Sequence, residues 1–188
     1  MMKSDNISEE KIVEQISNKD IVRMVLWFCS EKVDPAYRLT EDTLTIFKNT
    51  TKLQKLIFLS QYELKKEYLS LGEKKIFSEN GFAFKADSFG PYSNDLSLVT
   101  DNLVNANELL IQKIGNKTIY AIREKFLNEI LKSPLITLLE TDKIFLEWLT
   151  QIVMLSQLTL DQLLRHIYTN KNYREFLTRS RIVDRYSD

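Results

Sequence analysis

The chain has 188 residues, of which 44% are hydrophobic and 28% charged, which is typical of a globular protein. Its 26 basic and 26 acidic residues balance, so no overall charge points to a nucleic acid or an anionic membrane as the partner. The apolar runs are far shorter than the ~20 residues of a membrane-spanning helix, so we expect no membrane segment. A single cysteine excludes an intramolecular disulfide and suits a reducing cytoplasm, where we expect the protein.

The N-terminal part predicts short helices separated by a loop. Residues 8–30 carry apolar side chains at helical spacing, with a break near Ser17–Lys19. Pro35 predicts a loop, because proline removes a backbone donor and disfavours helix in the residue before it. A short helix is expected over Thr43–Lys48.

The stretch TTKLQKLIFLSQYELKKEYLSLG predicts the longest amphipathic helix of the chain. Thr51 is its expected N-cap, with Gln54 as the capping-box partner three residues later. Gly72 is the expected stop. We expect the side chains of Lys52 and Lys55, near the start of this helix, to be surface charges.

A Gly-Pro turn follows, in the stretch FKADSFGPYSNDL at residues 84–96. Residues 82–89 carry three phenylalanines and predict an extended segment, which Gly90 and Pro91 then turn. Ser93 is a suitable N-cap for a second helix that runs to about Asn107.

Two β-rich runs, 109–114 and 118–122, flank Gly115 and predict a β-hairpin. A helix, a turn, a second helix and a hairpin follow one another in a winged helix-turn-helix, where the hairpin is the wing. We therefore predict a mainly α (α+β) fold with a winged-helix-like core and flanking helices.

The chain is expected to form one domain with three parts. These are an N-terminal helical extension at 1–48, the winged-helix-like core at 49–130 and a helical C-terminal part at 131–188. In the last part, Asp142 and Thr159 are the expected N-caps of two helices, and the basic tail predicts a final short helix.

Two stretches together resemble a known family, the Panacea-domain proteins, which include the SocA-type antitoxins and uncharacterised bacterial and archaeal relatives. TKLQKLIFLSQ at 51–61 matches the family's Leu-rich helix, and FKADSFGPYSNDL matches its aromatic-rich strand ending in Gly-Pro. Antitoxin members often carry tryptophan where this chain has Asp87, so it resembles the relatives more closely. The resemblance implies a winged-helix-like domain that binds other proteins, with no chemistry of its own and no cofactor.

The FGPY corner is the candidate partner-binding knob, since aromatic side chains on a rigid turn make good interface anchors. We expect Phe89 to be buried and Tyr92 to be the exposed member. The candidate partner-binding residues are Phe89, Gly90, Pro91, Tyr92, Lys52 and Lys55.

Nucleic-acid binding is the alternative function. In a winged helix the second helix enters the major groove, yet here SNDLSLVTDNLVNANE contains no lysine or arginine and carries Asp95, Asp101 and Glu108. The hairpin and the basic, tyrosine-rich tail offer positive charge instead. The candidate nucleic-acid-binding residues are Lys113, Lys117, Lys171, Arg174, Arg179, Arg181 and Arg185.

Enzymatic and metal sites are not predicted. Cys29 and His166 are single residues of their types, whereas a structural zinc site takes four such ligands. The four glycines are too scattered for a phosphate-binding loop. We therefore predict a non-enzymatic protein–protein interaction module, antitoxin-like or a regulatory adaptor, without catalytic residues or cofactor, and with self-association as a further hypothesis.

Overall fold

The fold is mixed α+β, mainly helical, with a small antiparallel sheet. The computed structural model of the protein describes residues 16–33, 40–70, 81–115 and 117–177, with the side chains of 63–70 and 117 left aside. The elements, in chain order, are α1 Asn18–Phe28, β1 Glu31–Lys32, β2 Thr43–Lys48, α2 Thr50–Ser70, α3 Asn94–Asn105, β3 Leu109–Ile114, β4 Lys117–Arg123, α4 Glu124–Ile130, α5 Pro134–Thr141, α6 Lys143–Ser156, α7 Leu160–Thr169 and a 3₁₀ helix Lys171–Phe176.

Within the described residues the strands form one sheet in the order β1–β2–β4–β3. The predicted hairpin is confirmed, since β3 and β4 pair in antiparallel register, with Leu109 opposite Ile122. β2 pairs with the other side of β4, where Ile46 lies opposite Ala121. A strand that precedes α2 and α3 in the chain therefore lies beside the hairpin that follows them.

The predicted helix over Thr43–Lys48 is wrong, because these residues form β2. Ile46 and Phe47 are both buried, in separate apolar clusters. Neighbouring residues of a strand point to opposite faces, so this strand is buried on both sides and lacks the usual polar–apolar alternation. The N-terminal part is therefore not helical throughout. The β-branched residues of β2, namely two threonines and an isoleucine, agree with the strand, because such residues favour extended backbone.

The helix starts largely follow the predicted N-caps. At the predicted caps Ser93, Asp142 and Thr159 the side chain accepts a hydrogen bond from a first-turn N–H group, and Ser17, at the predicted break, does the same although it was not predicted as a cap. The exception is Thr51, which lies inside α2. There the side chain of Asn49 accepts the N–H of Lys52 at 3.3 Å, and Asn49 adopts a φ of 79°. Gly72, the expected stop, lies outside the described residues.

α2 is the central helix of the core. Its Ile57 and Phe58 are fully buried. The Trp148 Nε1 of α6 donates to the Ser60 carbonyl oxygen at 3.1 Å. The Phe58 ring packs edge-on against Tyr173 of the 3₁₀ helix, with ring centroids 5.0 Å apart. The C-terminal helices therefore share one core with α2.

A buried ion pair joins α1 to the end of the α3 region. Arg23 donates from Nε and Nη2 to the two carboxylate oxygens of Glu108, at 2.9 and 2.8 Å. Both side chains are buried. Glu108 was expected to belong to an acidic recognition helix, but α3 ends at Asn105 and this carboxylate faces the protein interior.

We predict that Glu108→Gln lowers the free energy of unfolding by about 2 kcal/mol, because it removes the charge that accepts two hydrogen bonds from the buried guanidinium, which then keeps only the Asp20 carboxylate at 3.2 Å as a close partner. Glu147→Gln is the matched control, since its ion pair with Lys143 is exposed and is expected to contribute less than about 1 kcal/mol. Urea unfolding measures both variants. Equal losses in the two would contradict a special role for the buried pair.

Candidate functional site

Two glutamines of α2 hold the segment 81–93, which contains the Gly-Pro turn. Gln54 Nε2 donates to the Ser93 carbonyl oxygen at 3.0 Å, and its Oε1 accepts the Ser93 N–H at 2.9 Å. Gln61 makes the same pair of hydrogen bonds with Phe82: its Nε2 donates to the Phe82 carbonyl oxygen at 3.1 Å, and its Oε1 accepts the Phe82 N–H at 2.7 Å. Gln54 was predicted to be a capping partner of Thr51, and this is wrong. Each amide instead satisfies both backbone groups of one residue.

Lys55 anchors the turn between these two contacts. Its side chain is only 1% exposed, so the prediction of a surface charge is wrong. Its Nζ donates to the Pro91 carbonyl oxygen at 2.6 Å. Burial lowers the pKa of this amine to about 8, and the Asp87 carboxylate partly opposes that shift.

The Gly-Pro corner, residues 87–92, is fixed by its own backbone as well. The Gly90 N–H donates to the Asp87 carbonyl oxygen at 2.9 Å, and Lys85 and Tyr92 exchange two backbone hydrogen bonds of 3.0 Å. Gly90 has a φ of 83°, a conformation that residues with a side chain rarely adopt. A Cβ there would lie 3.4 Å from Tyr168 Oη. The corner therefore favours glycine at this position.

The aromatic pair of the corner is arranged opposite to the prediction. Phe89 is 54% exposed, whereas Tyr92 is half-buried. Ser88 and Phe89 occupy the central positions of the turn closed by Gly90, which directs Phe89 outward. Tyr92 lies against α3, where its hydroxyl is 2.9 Å from Ser97 Oγ. Phe89 is thus the exposed aromatic side chain of the corner.

A cleft of about 310 Å³ opens beside the Gly-Pro corner, between the start of α2, α3 and β4. Three aromatic rings and several hydroxyl groups form much of its wall. The cleft is lined by Thr50, Thr51, Leu53, Gln54, Lys55, Asp87, Phe89, Tyr92, Leu96, Ser97, Thr100, Asp101 and Tyr120.

Two carboxylates at the cleft, Asp87 and Asp101, are exposed to solvent. Burial raises the pKa of the Tyr120 hydroxyl; the Asp101 carboxylate also raises it, while a hydrogen bond with Thr100 acts in the opposite direction. Tyr120 is therefore a neutral hydroxyl at physiological pH. The cleft combines neutral donors and acceptors with negative charge at its solvent-facing side.

The other predicted partner-binding lysine lies apart from the cleft. Lys52 Nζ donates to the Ser156 carbonyl oxygen of α6, and burial lowers the pKa of this amine. Burial likewise raises the pKa of the nearby Cys29 thiol to about 11, so at neutral pH it is not a thiolate nucleophile.

The predicted nucleic-acid-binding residues are not assembled into a site by the described contacts. Lys113 is exposed on β3, and Lys171 and Arg174 are exposed on the 3₁₀ helix. The remaining members, namely the Lys117 side chain, Arg179, Arg181 and Arg185, lie outside the described residues.

Sequence reasoning missed Gln61, Asp101 and Tyr120. One signal was available for Gln61, because Gln54 and Gln61 are seven residues apart and so lie on one side of a helix that is otherwise apolar there. Tyr120 lies between Ile119 and Ala121 in the apolar run of β4 and carries no such signal.

Metal-ligand clusters and membrane-spanning helices are both absent from the part of the chain that the structure describes. In the described ranges no group of three or more His, Cys, Asp and Glu side chains could hold a metal ion. The helices of the same ranges include none that is long and apolar enough to cross a membrane.

No matching protein identifies the family of this chain. Comparison with protein-family models, with curated proteins and with solved structures found no match to this chain. The resemblance to the Panacea-domain proteins therefore stays a prediction, and the candidate function rests on the Gly-Pro corner and the cleft.

We predict that Gln54→Leu lowers the free energy of unfolding by about 2 kcal/mol, because it leaves the buried N–H of Ser93 without its acceptor and removes the shortest hydrogen bond to the Ser93 carbonyl oxygen. Gln151→Leu, on the exposed side of α6, makes the same chemical change and should stay within about 0.5 kcal/mol of the parent. Denaturant unfolding compares them. Equal stability of the two variants would contradict the proposed contact.

We predict that Lys55→Met removes a pH dependence of stability. The folded-state pKa of about 8 lies below the ordinary value of 10.5, so between these pH values the unfolded chain binds the extra proton. The free energy of unfolding of the parent should therefore rise with pH across this window, by up to about 3 kcal/mol relative to Lys55→Met.

The control for this titration is Lys113→Met, which removes an exposed lysine of β3. Its stability should follow that of the parent at each pH. Parallel curves for the parent and Lys55→Met between pH 8 and 10.5 would show that Lys55 is not the buried group described.

Proposed function

We propose that the protein is a non-enzymatic protein-binding module whose docking surface is the Gly-Pro corner with the adjoining cleft. The observation that carries the proposal is Phe89, a large aromatic side chain that is 54% exposed on a rigid turn. Aromatic anchors of this kind, placed next to a pocket, dominate the energetics of many protein interfaces.

The rigidity of the Gly-Pro corner supports this role. Lys55, Gln54 and the Lys85–Tyr92 backbone pair hold the residues on both sides of Phe89 in place. Binding through a fixed loop loses little conformational entropy, so more of the contact energy contributes to affinity.

The element order supports a winged-helix interpretation of the core. α1, β2, α2, α3 and the β3–β4 hairpin follow one another, and β2 adds to the hairpin through β4. In this interpretation α3 occupies the recognition position and the hairpin is the wing. The cleft would then lie against the recognition helix.

The residues that carry the resemblance to Panacea-domain proteins also support the proposal. Gln54, Lys55, Gly90 and Pro91 belong to its two motifs, and all four lie at the contacts that hold the Gly-Pro corner. An antitoxin-like protein or a regulatory adaptor would use such a surface to bind one partner protein.

The charges of α3 favour a protein over a nucleic acid. Asp95 and Asp101 are exposed, and the helix carries no lysine or arginine to offset them. Phosphate contacts supply most of the affinity of nucleic-acid binding, and these carboxylates would repel a phosphate backbone.

We predict that Phe89→Ala lowers partner recovery at least about tenfold in an affinity pull-down from a native lysate, because it removes the anchor. Met154→Ala on α6 is the matched control, since Met154 is 67% exposed and belongs to a different element. It should recover the partner as the parent does, and both variants should keep the parent's stability.

The pull-down is run with and without nuclease and at two salt concentrations. Equal recovery by Phe89→Ala and Met154→Ala would contradict docking at the Gly-Pro corner. Material that disappears with nuclease, and also at about 200 mM salt, would show that phosphate contacts carry the binding and would overturn the proposal.

A further inference from the structure

Resting on the proposed function, we infer that the cleft receives a positively charged side chain of the partner, an arginine in preference to a lysine, between Asp87 and Asp101. At about 310 Å³ the cleft is at the lower end of the range of small-molecule pockets, which suits one long side chain better than a cofactor. The chemistry of its wall specifies the charge of that side chain.

The charge at the mouth of the cleft is negative. Asp87 comes from the Gly-Pro corner and Asp101 from α3, and both are exposed. Lys55 is the one basic residue among the described lining residues, but its amine is buried and donates to the Pro91 carbonyl oxygen. An approaching group therefore meets two solvent-facing carboxylates, with one positive charge beneath them.

The rings of the wall also favour a cation. Phe89, Tyr92 and Tyr120 line the cleft, and the faces of aromatic rings attract a positive charge. An anionic group such as a phosphate or a carboxylate would gain nothing from the rings and would be repelled by the carboxylates.

The hydroxyl groups favour arginine over lysine. Thr50, Thr51, Ser97 and Thr100 line the cleft together with the two tyrosines, and hydroxyl oxygens accept hydrogen bonds. A guanidinium offers five N–H donors in one plane and stacks on aromatic rings, whereas an ammonium group offers three donors from a single point. The exposed Phe89 beside the cleft suits an apolar neighbour of that arginine.

The test uses the full chain and two synthetic peptides, Gly-Ser-Leu-Arg-Ser-Gly and the same peptide with citrulline, a neutral near-isostere, in place of arginine. Titration of the ¹⁵N-labelled protein should shift the backbone amides of Thr100, Asp101 and Tyr120 with the arginine peptide. The citrulline peptide should bind at least about fivefold more weakly.

Two variants separate a local contact from overall charge. Asp101→Asn should weaken arginine-peptide binding at least about threefold. Asp95→Asn removes the same charge from the same helix, but Asp95 does not line the cleft. The affinity of this variant for the arginine peptide should therefore match that of the parent. Equal binding of both peptides, equal effects of both variants, or no shift at the cleft up to about 10 mM peptide would overturn the inference.

The test distinguishes this inference from the proposed function. A partner that depends on Phe89 but is unaffected by Asp101→Asn would overturn the inference and leave the docking surface in place. Arginine-peptide binding at the cleft, together with partner recovery that is independent of Phe89, would support the cation site and overturn the docking proposal.

Discussion

The side-chain amides of Gln54 and Gln61 hold the irregular segment 81–93 against α2 in the way that a neighbouring strand would. A buried backbone N–H or carbonyl without a partner is costly, so a segment outside regular secondary structure can be buried only if other groups bind it. A primary amide can donate and accept at once, and each glutamine therefore satisfies both backbone groups of one residue. The Gly-Pro corner, the start of α3 and the cleft all depend on this attachment.

This attachment places the exposed Phe89 side chain on a segment that is bound directly to the central helix of the core. Phe89 is exposed, yet Phe82 before it and Pro91 after it are hydrogen-bonded to α2, which also contacts α6 through Trp148. Mobile loops adapt to many partners, while a loop fixed in this way presents one shape and discriminates by complementarity. In the proposed docking surface, the rings, hydroxyls and carboxylates of the cleft would add a requirement for chemical complementarity to the requirement for a matching shape.

Helix positions, caps and the β3–β4 hairpin could be predicted from the sequence, because each depends on residues close together in the chain. Ser93 and Thr159 each cap the helix that begins with the next residue. Apart from the cap of α2, where Asn49 takes the place of Thr51, most of the errors concern interactions between distant segments. Lys55 was predicted at the surface because its buried acceptor, the Pro91 carbonyl oxygen, belongs to a distant segment. β2 was predicted to be helical because the strand that pairs with it, β4, is also distant in the chain. Burial of Phe89 or Tyr92 is decided by a turn geometry that composition does not specify.

The pairing of β2 with β4 has a consequence for the order in which the protein folds. The β3–β4 hairpin joins neighbouring residues and closes a short loop, whereas Ile46 reaches Ala121 only across both α2 and α3. Contacts between distant residues form slowly, because the entropy of closing the intervening chain must be lost first. We expect the hairpin to form early and β2 to join late. During synthesis, β2 would leave the ribosome before β4 and would stay unpaired until β4 follows. Since Tyr120 of β4 forms part of the wall of the cleft, the cleft would be completed only after β4 has left the ribosome.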